Sequence, residues 1–177
     1  ISGGGHAWNA ARIEGRWYLI DATWDAGTVR GGEFSKDYRS VYLFTPPEIF
    51  SYSHLPEQRR WQLREQPLSR GEFVRQPQLP PTFFAVGFRL VAPDRSHVTV
   101  SERFTAQLEN PRGRFVIADI RAPGQPRGER CEVRGGALVE VDCRLPASGT
   151  WDVRLFEHAA RYGSFEWIGS FVVAGGR

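Results

Sequence analysis

Two residues near the start of the chain have the types and spacing of a general base and its orienter. They are His6, in His6-Ala7-Trp8-Asn9, and Asp21, in the run Gly15-Arg16-Trp17-Tyr18-Leu19-Ile20-Asp21-Ala22-Thr23-Trp24. A neutral imidazole can take the proton of a thiol or hydroxyl nucleophile. A carboxylate on its other nitrogen then fixes the tautomer and stabilises the imidazolium. The chemistry needs the two side chains in contact, and the flanking sequence supplies a way to bring them there. Residues 1–24 are rich in Trp, Tyr, Ile and Leu and read as two strands, with Glu14-Gly15 suited to a tight turn. A two-residue loop sets Ile13 opposite Arg16, Trp8 opposite Asp21 and His6 opposite Thr23. His6 and Asp21 are then diagonal neighbours on one hairpin face, with Cβ atoms about 7–8 Å apart. A four-residue loop with the same centre keeps this facing, whereas a three-residue loop turns one strand over and separates the pair. Trp8 shares the face of His6 and is the candidate wall of a substrate groove. Trp17 and Trp24 read as core or rim aromatics, and Asn9 falls on the opposite face, where it would bond backbone.

The nucleophile is not at hand. The chain has two cysteines, Cys131 and Cys143, both far downstream of His6. A hairpin turn at Gly135-Gly136 would set Cys131 opposite Glu140, staggering the two sulfurs by three residues. Only a bulge would bring them to the Cα separation that a disulfide prefers. Among the other histidines, His54 sits in Tyr52-Ser53-His54-Leu55-Pro56, where a structural hydrogen bond is the ordinary role and catalysis the alternative. His97 and His158 stand alone, without partners at metal-ligand spacing. No metal and no cofactor is expected. Gly3-Gly4-Gly5 lacks the following helix of a phosphate loop and reads as a place of close chain approach.

The motif H-A-W-N followed by G-x-W-Y-x-I-D-x-T-W resembles the His and Asp motifs of the transglutaminase-like superfamily of papain-like cysteine enzymes, and most closely its kyphoscoliosis-peptidase-like branch. The resemblance continues through Tyr42-Leu43-Phe44-Thr45-Pro46-Pro47-Glu48, His54-Leu55-Pro56, Trp61-Gln62-Leu63 and the run from Glu72-Phe73 to Pro77. It implies a cysteine nucleophile at the start of a helix upstream of the His, a position that neither Cys131 nor Cys143 can fill. The first residue, Ile1, precedes the His motif by only a few positions. The expectation is therefore a piece of a longer protein, with a split fold or a pseudoenzyme as the alternatives.

Composition is that of a folded globular chain, 41% hydrophobic and 24% charged over 177 residues, near ordinary values. No stretch approaches the ~20 apolar residues of a membrane span. All but one of the 23 basic residues are arginine, the exception being Lys36. They are scattered among acidic residues without a basic run or a base-stacking motif, so a nucleic-acid partner is not expected.

The character of the sequence changes once. After the hairpin, Gly27 to Gly32 reads as a loop and Tyr38 to Phe44 as a strand. Thr45-Pro46-Pro47-Glu48 has the look of a helix start, with Thr45 as cap and proline in the first turn. Ser69 and Glu72 have capping-box spacing, and Pro77, Pro80 and Pro81 punctuate a linker. From Phe83 onward short alternating strands separated by Gly and Pro turns predict a β-sandwich, with strands at Phe84–Val91, 98–100, 104–108, 114–120, 131–133, 137–143, 150–156 and 165–173. The resulting fold class is α+β: residues 1–82 as the mostly β, C-terminal half of a transglutaminase-like domain, and 83–177 as an immunoglobulin-like sandwich.

The function that the resemblance implies is acyl transfer on a protein or peptide amide, with His6 and Asp21 catalytic, Trp8 at the substrate and an upstream cysteine as nucleophile. Water as acceptor gives a hydrolase and an amine gives transamidation. The expected partners are that substrate and the upstream half of the same domain, and the expected location is secreted or cell-envelope. The alternative is a non-catalytic protein-interaction module in which the hairpin is scaffold and the sandwich binds.

Overall fold

The computed structural model describes residues 5–176, so Gly3 and Gly4 of the glycine run lie outside it. Among the described residues a Cβ at Gly5 would meet nothing within 4 Å. The chain forms two compact units, the first ending at Val74 and the second beginning at Arg75.

In the first unit β1 (Asn9–Ile13) and β2 (Arg16–Ile20) make an antiparallel hairpin pairing Ile13 with Arg16 and Asn9 with Ile20. This is the register that a two-residue loop dictates. Glu14 and Gly15 carry φ of 49° and 82°, the two positive values of a type I′ turn. The ladder ends before Asp21, which leaves the strand to become the N-cap of α1 (Ala22–Ala26), its side chain accepting from the N–H groups of Thr23 and Trp24. Reading the second strand on to Trp24 is thereby corrected: an aspartate at an N-cap satisfies amides that a strand would leave to a neighbour. Gly27 to Gly32 is not an open loop either. β3 (Gly27–Arg30) pairs with β4 (Glu33–Lys36) across Gly31-Gly32.

The strand expected from Tyr38 shrinks to β5 (Leu43–Thr45), which joins β1 and β2 in a three-stranded sheet of order β1-β2-β5. The reason is Asp25, whose carboxylate takes the N–H groups of Val41 and Tyr42 and so withdraws them from any ladder. A helix does start at the double proline, as α2 (Pro47–Phe50), but its N-cap is Pro46. The Thr45 hydroxyl instead donates to the Val41 carbonyl at 2.8 Å. The capping box forms as its spacing predicts. Ser69 N–H donates to Glu72 at 2.7 Å and Glu72 N–H to Ser69 Oγ at 3.2 Å, opening α3 (Arg70–Arg75).

Residues 75–82, which the proline spacing assigns to the first domain, belong with the second unit. Gln78 and Ser170 exchange backbone hydrogen bonds of 2.9 Å, and Leu79 is buried. Pro81 then opens α4 (Pro81–Ala85). The strand expected from Phe84 therefore begins only after Gly87 (φ 97°), as β6 (Arg89–Ala92). The remaining strands are β7 (Val98–Val100), β8 (Arg103–Glu109), β9 (Phe115–Arg121), β10 (Glu129–Arg130), β11 (Glu132–Gly135), β12 (Leu138–Arg144), β13 (Gly149–His158) and β14 (Glu166–Gly175). They form two sheets, β10-β9-β13-β14-β7 and β11-β12-β8-β6.

Alternate residues of these strands are buried: Phe104, Ala106 and Leu108 on β8, Val139, Val141 and Cys143 on β12, Val153 and Leu155 on β13. Phe104 meets Phe171 across the gap between sheets at 5.2 Å, so the inner faces share one core. Cys131 and Cys143 are disulfide-bonded. The turn is centred one and a half positions later than Gly135-Gly136, because Gly135 pairs with Val139. Extending that register sets Cys131 opposite Cys143, with Cα atoms 4.5 Å apart, the spacing of a non-hydrogen-bonded antiparallel pair. The whole is an α+β fold in which β-strands predominate.

Candidate active site

His6 precedes β1 and Asp21 follows β2, so the hairpin register delivers them to each other although neither lies in its ladder. His6 Nε2 is 2.5 Å from Asp21 Oδ2. The two differ sharply in access: the His6 side chain is 28% exposed and the Asp21 side chain 0%. The imidazole is reachable from solvent and the carboxylate is closed off from it. With Nε2 directed at the carboxylate, Nδ1 is the free basic nitrogen of His6 among the described residues.

Asp21 is fully engaged. Oδ1 accepts the Thr23 and Trp24 amides at 3.0 Å each. Oδ2 accepts a second imidazole, His54 Nε2, at 2.9 Å. Burial alone would push the Asp21 carboxyl upward. The hydrogen bonds from His6, His54 and the Trp24 amide, with the charge of His6, outweigh it and hold the group below the ordinary carboxylate value. His54 itself is held below the usual histidine value, because its burial outweighs the pull of Asp21.

The aromatic residues organise this cluster. Trp24 stacks on the His6 ring, centroids 5.0 Å apart and planes within 17°. His54 is enclosed by Phe50 stacked at 4.0 Å, Trp24 at 4.5 Å, Trp8 at 4.9 Å and Tyr42 at 5.3 Å. Trp8 and His6 line a groove of about 490 Å³ together with Trp17, Pro56, Glu57 and Trp61. Trp17 and Trp61 meet edge to face at 5.1 Å on its wall. The ligand atoms of His6, Asp21 and His54 lie within 4.8 Å of one another, but each Nε2 is spent on Asp21 through a hydrogen bond, so the arrangement is a hydrogen-bonded network. The His158 ring is hydrogen-bonded at Ala160 in its own loop and lies against Phe165, and His97 contributes a backbone bond to Val172.

No family model matches the chain. Individual relatives do: kyphoscoliosis peptidase of Mus musculus is 34% identical over 154 residues, 85% of this chain, and that of Homo sapiens matches to the same extent. The chain is homologous to the transglutaminase-like kyphoscoliosis peptidases. A Lim and transglutaminase domain protein of Caenorhabditis elegans matches too, at 29% over 90 residues. The match spans 23% of the length of the two kyphoscoliosis peptidases.

Two features of the site escape a reading of the sequence: the partner of His54, whose expected role is a structural hydrogen bond, and the role of Asp25. His54 is far from Asp21 along the chain, and nothing in Tyr52-Ser53-His54 announces its partner. Asp25 was legible in principle, since a carboxylate one helical turn after a capping aspartate lies on the same side of α1.

Proposed function

We propose that the first unit supplies the base and the orienter of a transglutaminase-like cysteine peptidase or amidase, acting by acyl transfer on protein or peptide amides. The observation that carries this reading is the 2.5 Å contact from a solvent-reachable His6 to a fully buried Asp21. Among the residues of this chain no thiol is free, because Cys131 and Cys143 are bonded to each other. The nucleophile in this reading is a cysteine on a preceding segment of a longer polypeptide, as the greater length of the relatives allows.

The steps follow from the atoms present. His6 Nδ1 takes the thiol proton, and the imidazolium so formed keeps its Nε2–H on Asp21. The thiolate adds to the amide carbonyl carbon, the C–N bond breaks, and the amine leaves with the proton from Nδ1. The thioester then passes its acyl group to water or to a second amine, with His6 again accepting the attacking group's proton. Trp8 walls the groove that holds the substrate beside His6. A disulfide in the second unit supports placement in an oxidising, secreted or cell-envelope setting. The second unit is read as an immunoglobulin-like companion domain.

The test is turnover of a peptide amide, with and without a primary amine, by the longer polypeptide. His6→Ala should lower kcat/KM by at least ~10²-fold, and the 177-residue chain by itself should show no turnover that iodoacetamide abolishes. Full activity in the His6→Ala protein would leave the first unit as a non-catalytic interaction module.

A further inference from the structure

We infer that His54 is a positioning residue: by donating a neutral Nε2–H to Asp21 it anchors the carboxylate that orients His6, and it leaves the positive charge of the site to His6. This rests on the reading of His6 as the base.

The geometry fixes the tautomer. Asp21 Oδ2 is a carboxylate oxygen and can only accept, so His54 Nε2, 2.9 Å away, carries the hydrogen. In the neutral ring Nδ1 is then the acceptor, 2.8 Å from the Ser53 hydroxyl. The side chain is 1% exposed and packed against Phe50, Trp24, Trp8 and Tyr42, so it has neither water to exchange with nor room to turn. The groups that face it are Asp21 at the head of α1, His6 ahead of β1, and Tyr42 just before β5. Burial disfavours a charged His54 and overrides the pull of Asp21 and of the Phe50 backbone, while the charge of His6 acts in the same sense as burial.

A neutral donor suits the task. The His6 and His54 rings are 5.7 Å apart, so a charged His54 would repel the His6 imidazolium and compete for the same oxygen. An apolar residue in its place would strand a lone pair of a carboxylate that has no exposure. Such a carboxylate is more basic and grips the His6 proton harder.

Nitrogen-edge NMR on the 177-residue chain tests this without any assay of turnover. Long-range ¹H–¹⁵N spectra of the wild-type chain should show His54 as the neutral Nε2–H tautomer at pH 7, with its titration midpoint below the ordinary 6.5. In His54→Phe the titration midpoint of His6 should rise by about 0.5–1 pH unit. His54→Gln, whose amide N–H falls near the position of Nε2, should return it to the wild-type value. A merely space-filling His54 would give the same His6 midpoint in all three proteins, and that result overturns the inference. So does a wild-type His54 that is charged or Nδ1-protonated at pH 7, which decides the matter even if His54→Phe does not fold. Because every readout is spectroscopic, failure here leaves the role of His6 in turnover untouched. Loss of that role would in turn leave the measured coupling standing.

Discussion

Asp21 does two jobs at once, and removing it separates them. Asp21→Ala takes the acceptor away from the Thr23 and Trp24 amides, both at 3.0 Å. Loss of such an N-cap costs about 1 kcal/mol. It also strands His54 Nε2–H, and at 1% exposure no water replaces the carboxylate, a further loss of about 1.5–3 kcal/mol. His6, being 28% exposed, can turn to solvent and adds at most about 1 kcal/mol. Against this, deleting a buried charge relieves its desolvation. The expected net destabilisation is about 2–4 kcal/mol, a large share of what a small folding unit has. Asp21→Asn keeps an oxygen for the two amides and should recover the cap alone, about 1 kcal/mol. The assay is urea unfolding at pH 7, followed by the fluorescence of Trp8 and Trp24 beside the site. An Asp21→Ala midpoint within about 0.5 kcal/mol of wild type would refute the reasoning, since neither the cap nor the buried bond could then carry weight.

Stability should depend on pH in a defined sense. Folded His54 titrates below its ordinary 6.5, so as pH falls from there the unfolded chain takes up a proton that the folded one refuses. Its contribution is complete above about pH 6.5 and declines as pH drops toward the folded value, a slope that His54→Phe should abolish in thermal melts. Asp21, held below its ordinary 3.8, adds a second loss as pH falls below about 4. The folded 177-residue chain should not react with a thiol reagent, as neither of its cysteines is free. Cys131→Ser/Cys143→Ser should cost about 3 kcal/mol for a closed loop of this length, read as a shift in the urea midpoint. Ser69→Ala should cost about 1 kcal/mol in the same measurement by opening the capping box.

What the sequence yields and what it hides follow from the range of the forces involved. The β1–β2 register is legible because a two-residue turn and a period of two leave no freedom once the turn is placed. That register is enough to bring His6 and Asp21 together. The capping box at Ser69 is legible for the same reason, being contained in four residues. By contrast, Asp21 has strand-like neighbours on one side and helix-forming Ala22 on the other, and its choice of helix depends on amides that only a cap can satisfy. Gly27 to Gly32 resembles a loop until Thr28, Val29, Phe34 and Ser35 are paired across it. The disulfide turns on the placement of one turn: Gly135 joins the ladder instead of sitting at its tip, and Cys131 then meets Cys143. His54 has the most deeply hidden partner, although a structural hydrogen bond is its expected role. Its bond to Asp21 spans 33 positions and exists only because α2 and the aromatic box fold around it.

The central claim is that His6, oriented by Asp21, activates a cysteine thiol. Its most direct test is the pH–rate profile of iodoacetamide alkylation in the longer polypeptide, comparing wild type with His6→Ala. The account predicts a wild-type thiol that reacts well below the ordinary thiol pKa of about 8.5, and a His6→Ala profile moved back toward that value. Superimposable profiles from the two proteins would contradict it.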